Sequence, residues 1–541
     1  MRILALLFLP LAAGLSVPGF SAPKETVAGP VSETVLGPVP KKLNAVLSPD
    51  QRHIVYPITV PQSGKKQVLY DGRPIGAEFA ETFVASSVAF DPKGRRIAFA
   101  CVRETGDCTS CGPVGKWRVV IDGREDPEYD VVNNLTFDHD GSRFAYGAMR
   151  KIDDTNLWFI VVDGVETFIP YEAISAKSPA FTPVSSRLVY IAKKGAKATV
   201  VVDGREGPLH DKIVHPIPCF SDDGQHIAYV ARDFGAEGGT DTVMLNGKPG
   251  PRFDSIPAQS LIFSPDSRRH AYGGQRGGVV PQDPSTWVVV VDGKAGPEYD
   301  QVDHISFSPD SRHVAYKARK DGKWTLIVNG APMPTCDELA DGFPVFSPDS
   351  SRIAYGFKTD NTWKVCVQAL PSPTKTAGPT GVIGDAYDGG VGLITFSPDG
   401  KHLAFGASRD KRRIVVVDGT VPPAWSERSW DMMRSLVFSP DGTRIACEAG
   451  TRNPTSDDKW ELVVDGRTLD FQTLVTGTLV FSADSRHFAF KIMKGENQQM
   501  IVDGRSSPEY KSISHIFATA DNGFESIVIG EQLSRIKWLP Q

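Results

Sequence analysis

Five histidines stand at one position of a recurring phrase: His53, His226, His313, His402 and His487. Imidazole is a common metal ligand and the usual proton carrier near neutral pH, so a repeated histidine could serve either role. In the other copies of the phrase the same position holds Arg96, Arg143, Arg187, Arg269, Arg352 or Arg444. A guanidinium is no ordinary metal ligand, and residues one repeat apart cannot all come within the ~2 Å of one ion that zinc requires. The exchange points instead to a cation that faces a turn and pairs with an acid there.

The other reactive residue types divide in the same way. Cys108-Thr109-Ser110-Cys111 has the spacing of half a zinc site, but no second ligand pair follows it. In an oxidising compartment the pair reads as a candidate local disulfide, Cys108–Cys111, with Cys101–Cys108 as the alternative pairing. No Gly-x-Ser-x-Gly pentapeptide marks a hydrolase nucleophile. His270 stands where other copies of the phrase hold an aliphatic residue or Phe, and reads as a hydrogen-bonded core histidine. No catalytic residue, metal site or cofactor is expected from these patterns. Arg103, Arg276 and Trp430 remain as candidate binding residues, the arginines in the two longest inserts and the tryptophan off the repeat register.

The elements that position these residues follow from the repeat itself. Phe-Ser-Pro-Asp, then Ser or Gly, two further residues and Ile-Ala-Tyr recurs from Leu47 to Phe481 in steps of 39 to 50 residues. That is the length of one four-stranded propeller blade. Within each unit but the eighth, where Gln368-Ala369 stands at the turn, a β-branched run, often led by Trp, ends in Asp-Gly or Asn-Gly, and Gly-Pro-Glu-Tyr-Asp follows most clearly at 296–300. Strand a ends at the Phe, Ser-Pro-Asp makes the a–b turn, and Ile-Ala-Tyr is strand b. Strand c begins at the Trp, and Asp-Gly is the tight turn into strand d. Asn246 and Asn329 replace Asp at that turn, which a turn accepts and a metal carboxylate would not. The expected fold is an all-β propeller of about twelve four-stranded blades in two six-bladed rings. The domains would be 23–300 (repeats 1–6) and 301–541 (repeats 7–11 plus a closing blade completed by the N-terminal stretch).

The Phe-Ser-Pro-Asp-Gly-x-x-Ile-Ala-Tyr unit, as at 396–405 and 346–355, resembles the WD-repeat-like propeller unit of the TolB family. The resemblance covers most of residues 43–518. It implies the propeller fold and an envelope location, and it does not account for Gly-Pro-Glu-Tyr-Asp. Met1-Arg2, the apolar run Ile3–Leu15 and the small residues Gly19, Ser21 and Ala22 read as a signal peptide over 1–22. No other apolar run is long enough to span a membrane. A formal net charge of −5 with no basic stripe argues against nucleic acid. The expectation is therefore a periplasmic or secreted, non-enzymatic binding or scaffold protein with a protein or glycan partner in the envelope. The alternative is a propeller-type hydrolase or lyase with a site in loops or the central channel. Loops on a rigid scaffold carry recognition, so the long b–c intervals Arg103–Lys116 and Gly273–Thr286 mark the expected binding face. The insert Pro371–Gly384, ahead of a strand d resuming at Asp385, reads as a tolerated surface insertion.

Overall fold

The computed structural model describes residues 31–39, 45–79, 82–108, 112–167, 170–235, 238–277, 285–342, 344–370, 381–426, 429–452, 458–469 and 473–540. The fold is an all-β propeller, whose described strands form twelve antiparallel sheets, the blades, most of them in the order a-b-c-d. Blade seven is representative: Gln301–Phe307, Val314–Lys320, Lys323–Val328 and Ala331–Pro332. The β-branched runs supply the pleated, buried middle strands, and the turn residues end each strand where expected.

The chain divides into two compact units. One is Pro40–Tyr299; the other joins Asp300–Gln541 to residues 1–39. Each holds six of the sheets. Val31–Pro38 pairs antiparallel with Gln532–Trp538 and completes the last blade, so these residues belong with the second unit and not with the 23–300 domain expected from the sequence. Residues 1–22, expected from the sequence to be a signal peptide, lie outside the described residues.

Hydrophobic clusters sit between consecutive blades. One joins Tyr129 of blade two to Phe144 and Tyr146 of blade three, and another joins Val230 and Phe253 of blade five to Tyr272 of blade six. No blade could bury both faces alone, so packing against its neighbour is what makes each one stable.

The strands depart from expectation in three places. Strand c begins before its tryptophan, as in Gly112–Ile121 around Trp117. Blade nine has three paired strands, 389–396, 403–409 and 412–417. Its fourth position is a short 3₁₀ turn, Pro423–Trp425, because Pro422 and Pro423 offer no N–H to a ladder. In blade eight strand d starts at Gly381, earlier than Asp385; residues 371–380 of the insert lie outside the described residues.

Candidate functional site

The repeated polar residues hold the blades together at the a–b and c–d turns. Each turn Asp or Asn has φ near +50° and its glycine φ near +80°, the geometry of a type I′ turn: Asp292 is at 50° and Gly293 at 77°. One carboxylate oxygen accepts the first N–H of strand b, as from Ile97 to Asp122 (3.0 Å) and from His270 to Asp292 (3.1 Å). The other takes the basic residue: Arg96 Nε to Asp122 at 2.8 Å, Arg269 Nε to Asp292 at 2.9 Å. Where histidine replaces arginine beside an Asp, Nδ1 donates, as in His53 to Asp71 (2.7 Å). Asn246 and Asn329 use Oδ1 for the strand-b N–H, so their amide nitrogens donate to Nδ1 of His226 (2.9 Å) and His313 (2.8 Å). The histidine tautomer thus follows the partner.

Several of the arginines also reach the next blade within their unit. Arg96 donates to the carbonyl of Gly141 (2.7 Å) and lies 5.1 Å over the ring of Phe137; Arg444 reaches the carbonyl of Arg486 (2.8 Å) and lies 5.6 Å over Phe481. Where Ser-Pro-Asp-Ser replaces Ser-Pro-Asp-Gly, the second serine adopts φ near +60°, and Ser267 and Ser350 accept from the preceding blade's turn, from the Asp223 N–H (3.0 Å) and the Asp310 N–H (2.9 Å). These residues are blade stitches. His270 is partly buried in its blade, stacked on Tyr272, and burial lowers its pKa.

Gly-Pro-Glu-Tyr-Asp turns out to govern the opposite end of the blade. Its final Asp begins the next blade's ladder through its N–H, and its carboxylate then holds that blade's b–c hairpin. Asp130 accepts from the Lys151 N–H (3.0 Å), Asp211 from Phe234 (2.8 Å), Asp254 from Gly277 (2.8 Å) and Asp431 from Arg452 (2.9 Å). A charged acceptor on a fixed strand end clamps each hairpin near its tip.

The two long b–c intervals are therefore extended hairpins as well as loops. In blade two the ladder runs through Arg103↔Lys116 to Cys108↔Gly112. In blade six it runs to Gly277↔Ser285, and 278–284 lie outside the described residues. An antiparallel pair lengthens by adding rungs, which interval length alone does not reveal. Arg103 lies on the backbone of this ladder, but its side chain and that of Cys108 fall outside the described residues, as does Cys111, so the candidate disulfide does too. Arg276 is paired with Glu298 (2.7 Å) and lies 5.3 Å over Phe253.

Trp430 corrects the register reading. It bridges to Arg413 of strand c, the place that Tyr299 takes opposite Trp287, and it is 4% exposed in the core beside Trp425. The 3₁₀ turn lengthens the d segment and shifts it onto the aromatic position, so Trp430 is no surface anchor. Phe234, which the sequence reading passed over, is 64% exposed on the b–c hairpin of blade five, Ile227–Gly235 with Gly238–Leu245. Its signal was an aromatic beside a glycine-rich tip, Phe234-Gly235-Ala236-Glu237-Gly238-Gly239.

A second set was also missed. The residue after the strand-b aromatic position is uncharged throughout the Pro40–Tyr299 unit (Pro57, Ala100, Gly147, Ile191, Val230, Gly273), but it is Lys317, Glu448 (where Cys447 stands in for the aromatic) and Lys491 in three blades of the other. Lys317 is buried and donates to the carbonyl of Ala340; Lys491 donates to those of Ile513 (3.1 Å) and Ser514 (3.2 Å). Buried Glu448 accepts from the Gly477 N–H (2.7 Å), and burial raises its pKa. Burial lowers that of both lysines. Each ties strand b to the next blade's inner strand. Among the described residues, no group of three or more His, Cys, Asp or Glu side chains is placed to hold a metal ion. No described helix is long and apolar enough to cross a membrane.

No known protein family matches the chain. No curated protein matches it either. Among solved structures it is similar to TolB from Acinetobacter baumannii, with 14% identity over 58% of this chain and 80% of that one and a TM-score of 0.24. It is also similar to the β-propeller domain of the Trilobed protease from Pyrococcus furiosus, with 12% identity over 72% and 98% and a TM-score of 0.22. A third is the tricorn protease, with 13% identity over 86% and 58% and a TM-score of 0.26. At these TM-scores the likenesses carry no functional inference.

Proposed function

We propose that this chain is an exported binding or scaffold protein of the cell envelope, built from TolB-type repeats, with each compact unit forming one six-bladed ring. It engages a protein or glycan partner through the b–c hairpins of the Pro40–Tyr299 unit. The observation that supports this most is the clamp: Asp130, Asp211 and Asp254 each fix a hairpin of the following blade, and one of those hairpins displays Phe234 to solvent. Preordered loops lower the entropic cost of association, and an exposed aromatic is a suitable anchor. The turn residues at the other end are already engaged in blade stitches, which leaves the hairpins to recognise a partner.

The test is affinity capture from an envelope extract with the wild-type chain and with Phe234→Ala. The expected result is a partner retained by the wild type and lost, or weakened at least tenfold, by the variant, with unchanged thermal unfolding. Capture that depends on the Ser-Pro-Asp turns and ignores Phe234 would place recognition on the other end. Cell fractionation tests export: full-length chain with Met1-Arg2 intact, accumulating in the cytoplasm, would overturn it.

A further inference from the structure

Three strand-b tyrosines of the Pro40–Tyr299 unit, Tyr146, Tyr229 and Tyr272, face strand d of the preceding blade. Between blades two and three the Tyr146 hydroxyl donates to the buried carboxylate of Asp126 (2.9 Å). Over Gly164, at the adjoining turn, Arg124 Nη2 and Asp126 Oδ1 lie 3.3 and 3.7 Å from where a Cβ would stand. That junction is filled by the chain's own arginine and carboxylate.

Between blades four and five the same sequence recurs with one change: Asp-Gly-Arg-Glu-Asp-Pro at 122–127 becomes Asp-Gly-Arg-Glu-Gly-Pro at 203–208. Gly207 takes the place of Asp126, Arg205 that of Arg124, and Gly247 that of Gly164. Nothing lies within 4 Å of a Cβ built on Gly247. The junction holds a cleft of about 250 Å³, with Val200, Val202 and Ile227 in its wall and Arg187 and Arg205 in its lining. Tyr229 lines it too, is 5% exposed, and its hydroxyl has no acceptor among the described residues. Burial pushes that phenol up to about 12, so at neutral pH it is an O–H donor. Arg205 is exposed and makes no ion pair among the described residues. Glu206, the acid of the lining, is drawn to Lys194 (2.9 Å) and the Tyr171 hydroxyl (3.3 Å). Between blades five and six there is no such room: a Cβ on Gly250 would stand 2.9 Å from the Tyr272 hydroxyl, against 3.7 Å for Gly207 and Tyr229.

We propose that this cleft binds a small free carboxylate with a short alkyl tail, whose carboxylate takes the position that Asp126 fills two blades earlier. The Tyr229 hydroxyl donates to it, Arg205 supplies the charge, and the valine and isoleucine wall takes the tail. The cleft is below the usual ~300 Å³ of drug-sized sites, which restricts the ligand to a few heavy atoms.

The test is calorimetric and NMR titration of the full chain with butyrate and, as the uncharged control, butyramide. Saturable binding of butyrate and none of butyramide is expected. Tyr229→Phe and Arg205→Gln should each weaken it roughly tenfold, the loss of a hydrogen bond or ion pair to a charged ligand. Gly207→Asp should abolish binding by returning a carboxylate to the chain. A Cβ there would stand 3.0 Å from the Val200 carbonyl, so its fold is checked by circular dichroism, and the other two variants decide the matter if it misfolds. No saturable response to butyrate, affinity unchanged in both Tyr229→Phe and Arg205→Gln, or only ordered water against Tyr229 in butyrate-soaked crystals would overturn the proposal. A valine-terminated tripeptide that binds more tightly than butyrate would overturn the free-acid source and assign the carboxylate to a chain terminus.

Discussion

At the scale of the residue, the turn acid does two jobs that separate on mutation. Asp292 accepts from the backbone of His270 and from Arg269. Asparagine keeps the first contact but turns a donor toward the guanidinium, which is also a donor. Asp292→Asn should therefore cost up to ~1 kcal/mol, the scale of an exposed ion pair. Asp418→Asn faces His402, which can switch tautomer as His226 and His313 have done, and should cost close to nothing. Gly293→Val forces a β-branched residue to φ 77° and should cost about 1–3 kcal/mol, most of the difference being backbone strain. Urea unfolding of the three variants checks the order. Equal losses in all three would remove the tautomer account.

Glu448 gives a pH signature at the same scale. Burial raises its pKa in the folded state, so between the ordinary carboxylate range and that raised value the folded chain holds a proton that the unfolded chain has lost. Stability contributed by this group therefore falls as pH rises through that window. Glu448→Gln keeps an acceptor for the Gly477 N–H and removes the titration. It should flatten this fall and raise the unfolding midpoint at pH 7 relative to pH 4, as measured by denaturant titration at the two pH values.

At the scale of the element, the b–c hairpins are ladders held near their tips by the preceding blade. Cutting the blade-two hairpin back to the Arg103↔Lys116 rung, with an Asp-Gly turn across it, leaves the Asp130 clamp on blade three untouched. Loop closure depends only logarithmically on length, so the unfolding midpoint should shift by well under ~1 kcal/mol equivalent. Removing a clamp should do more. Asp254→Ala frees the Gly277 N–H and should raise hydrogen exchange along 270–277 without altering the far-UV spectrum. Unchanged exchange there would show that the ladder needs no clamp.

At the scale of the whole molecule, the Asp300–Gln541 unit is completed by a strand from the other end of the chain. Val31–Pro38 covers the edge of Gln532–Trp538, where Leu533, Ile536 and Trp538 are buried. Deleting residues 1–38 should expose that edge, lower the melting temperature of this unit and strip exchange protection from residues 532–538. Protection in Pro40–Tyr299 should stay as it was, since that unit contains no part of the deleted strand. Loss of protection in both units together would show that they unfold as one.

The sequence by itself determined most of the strands, the turns, the number of blades and the cation–acid pairing, because these are local. A type I′ turn needs φ > 0 at two adjacent residues, and Asp-Gly or Asn-Gly states that in two letters. That the N-terminal stretch completes the last blade was legible too. Tertiary structure alone decided what depends on partners distant in the chain. Trp430 entered the core because a 3₁₀ turn moved it onto the Arg413 rung, and Arg276 found Glu298 across a sheet. Lys317, Glu448 and Lys491 gained meaning only beside the next blade's inner strand. The change from Asp126 to Gly207 reads in the sequence as one tolerated substitution. Only the packing of Tyr229 against the place it left open makes it a cleft, because whether a buried hydroxyl has an acceptor is settled by residues that meet only when two blades close on each other.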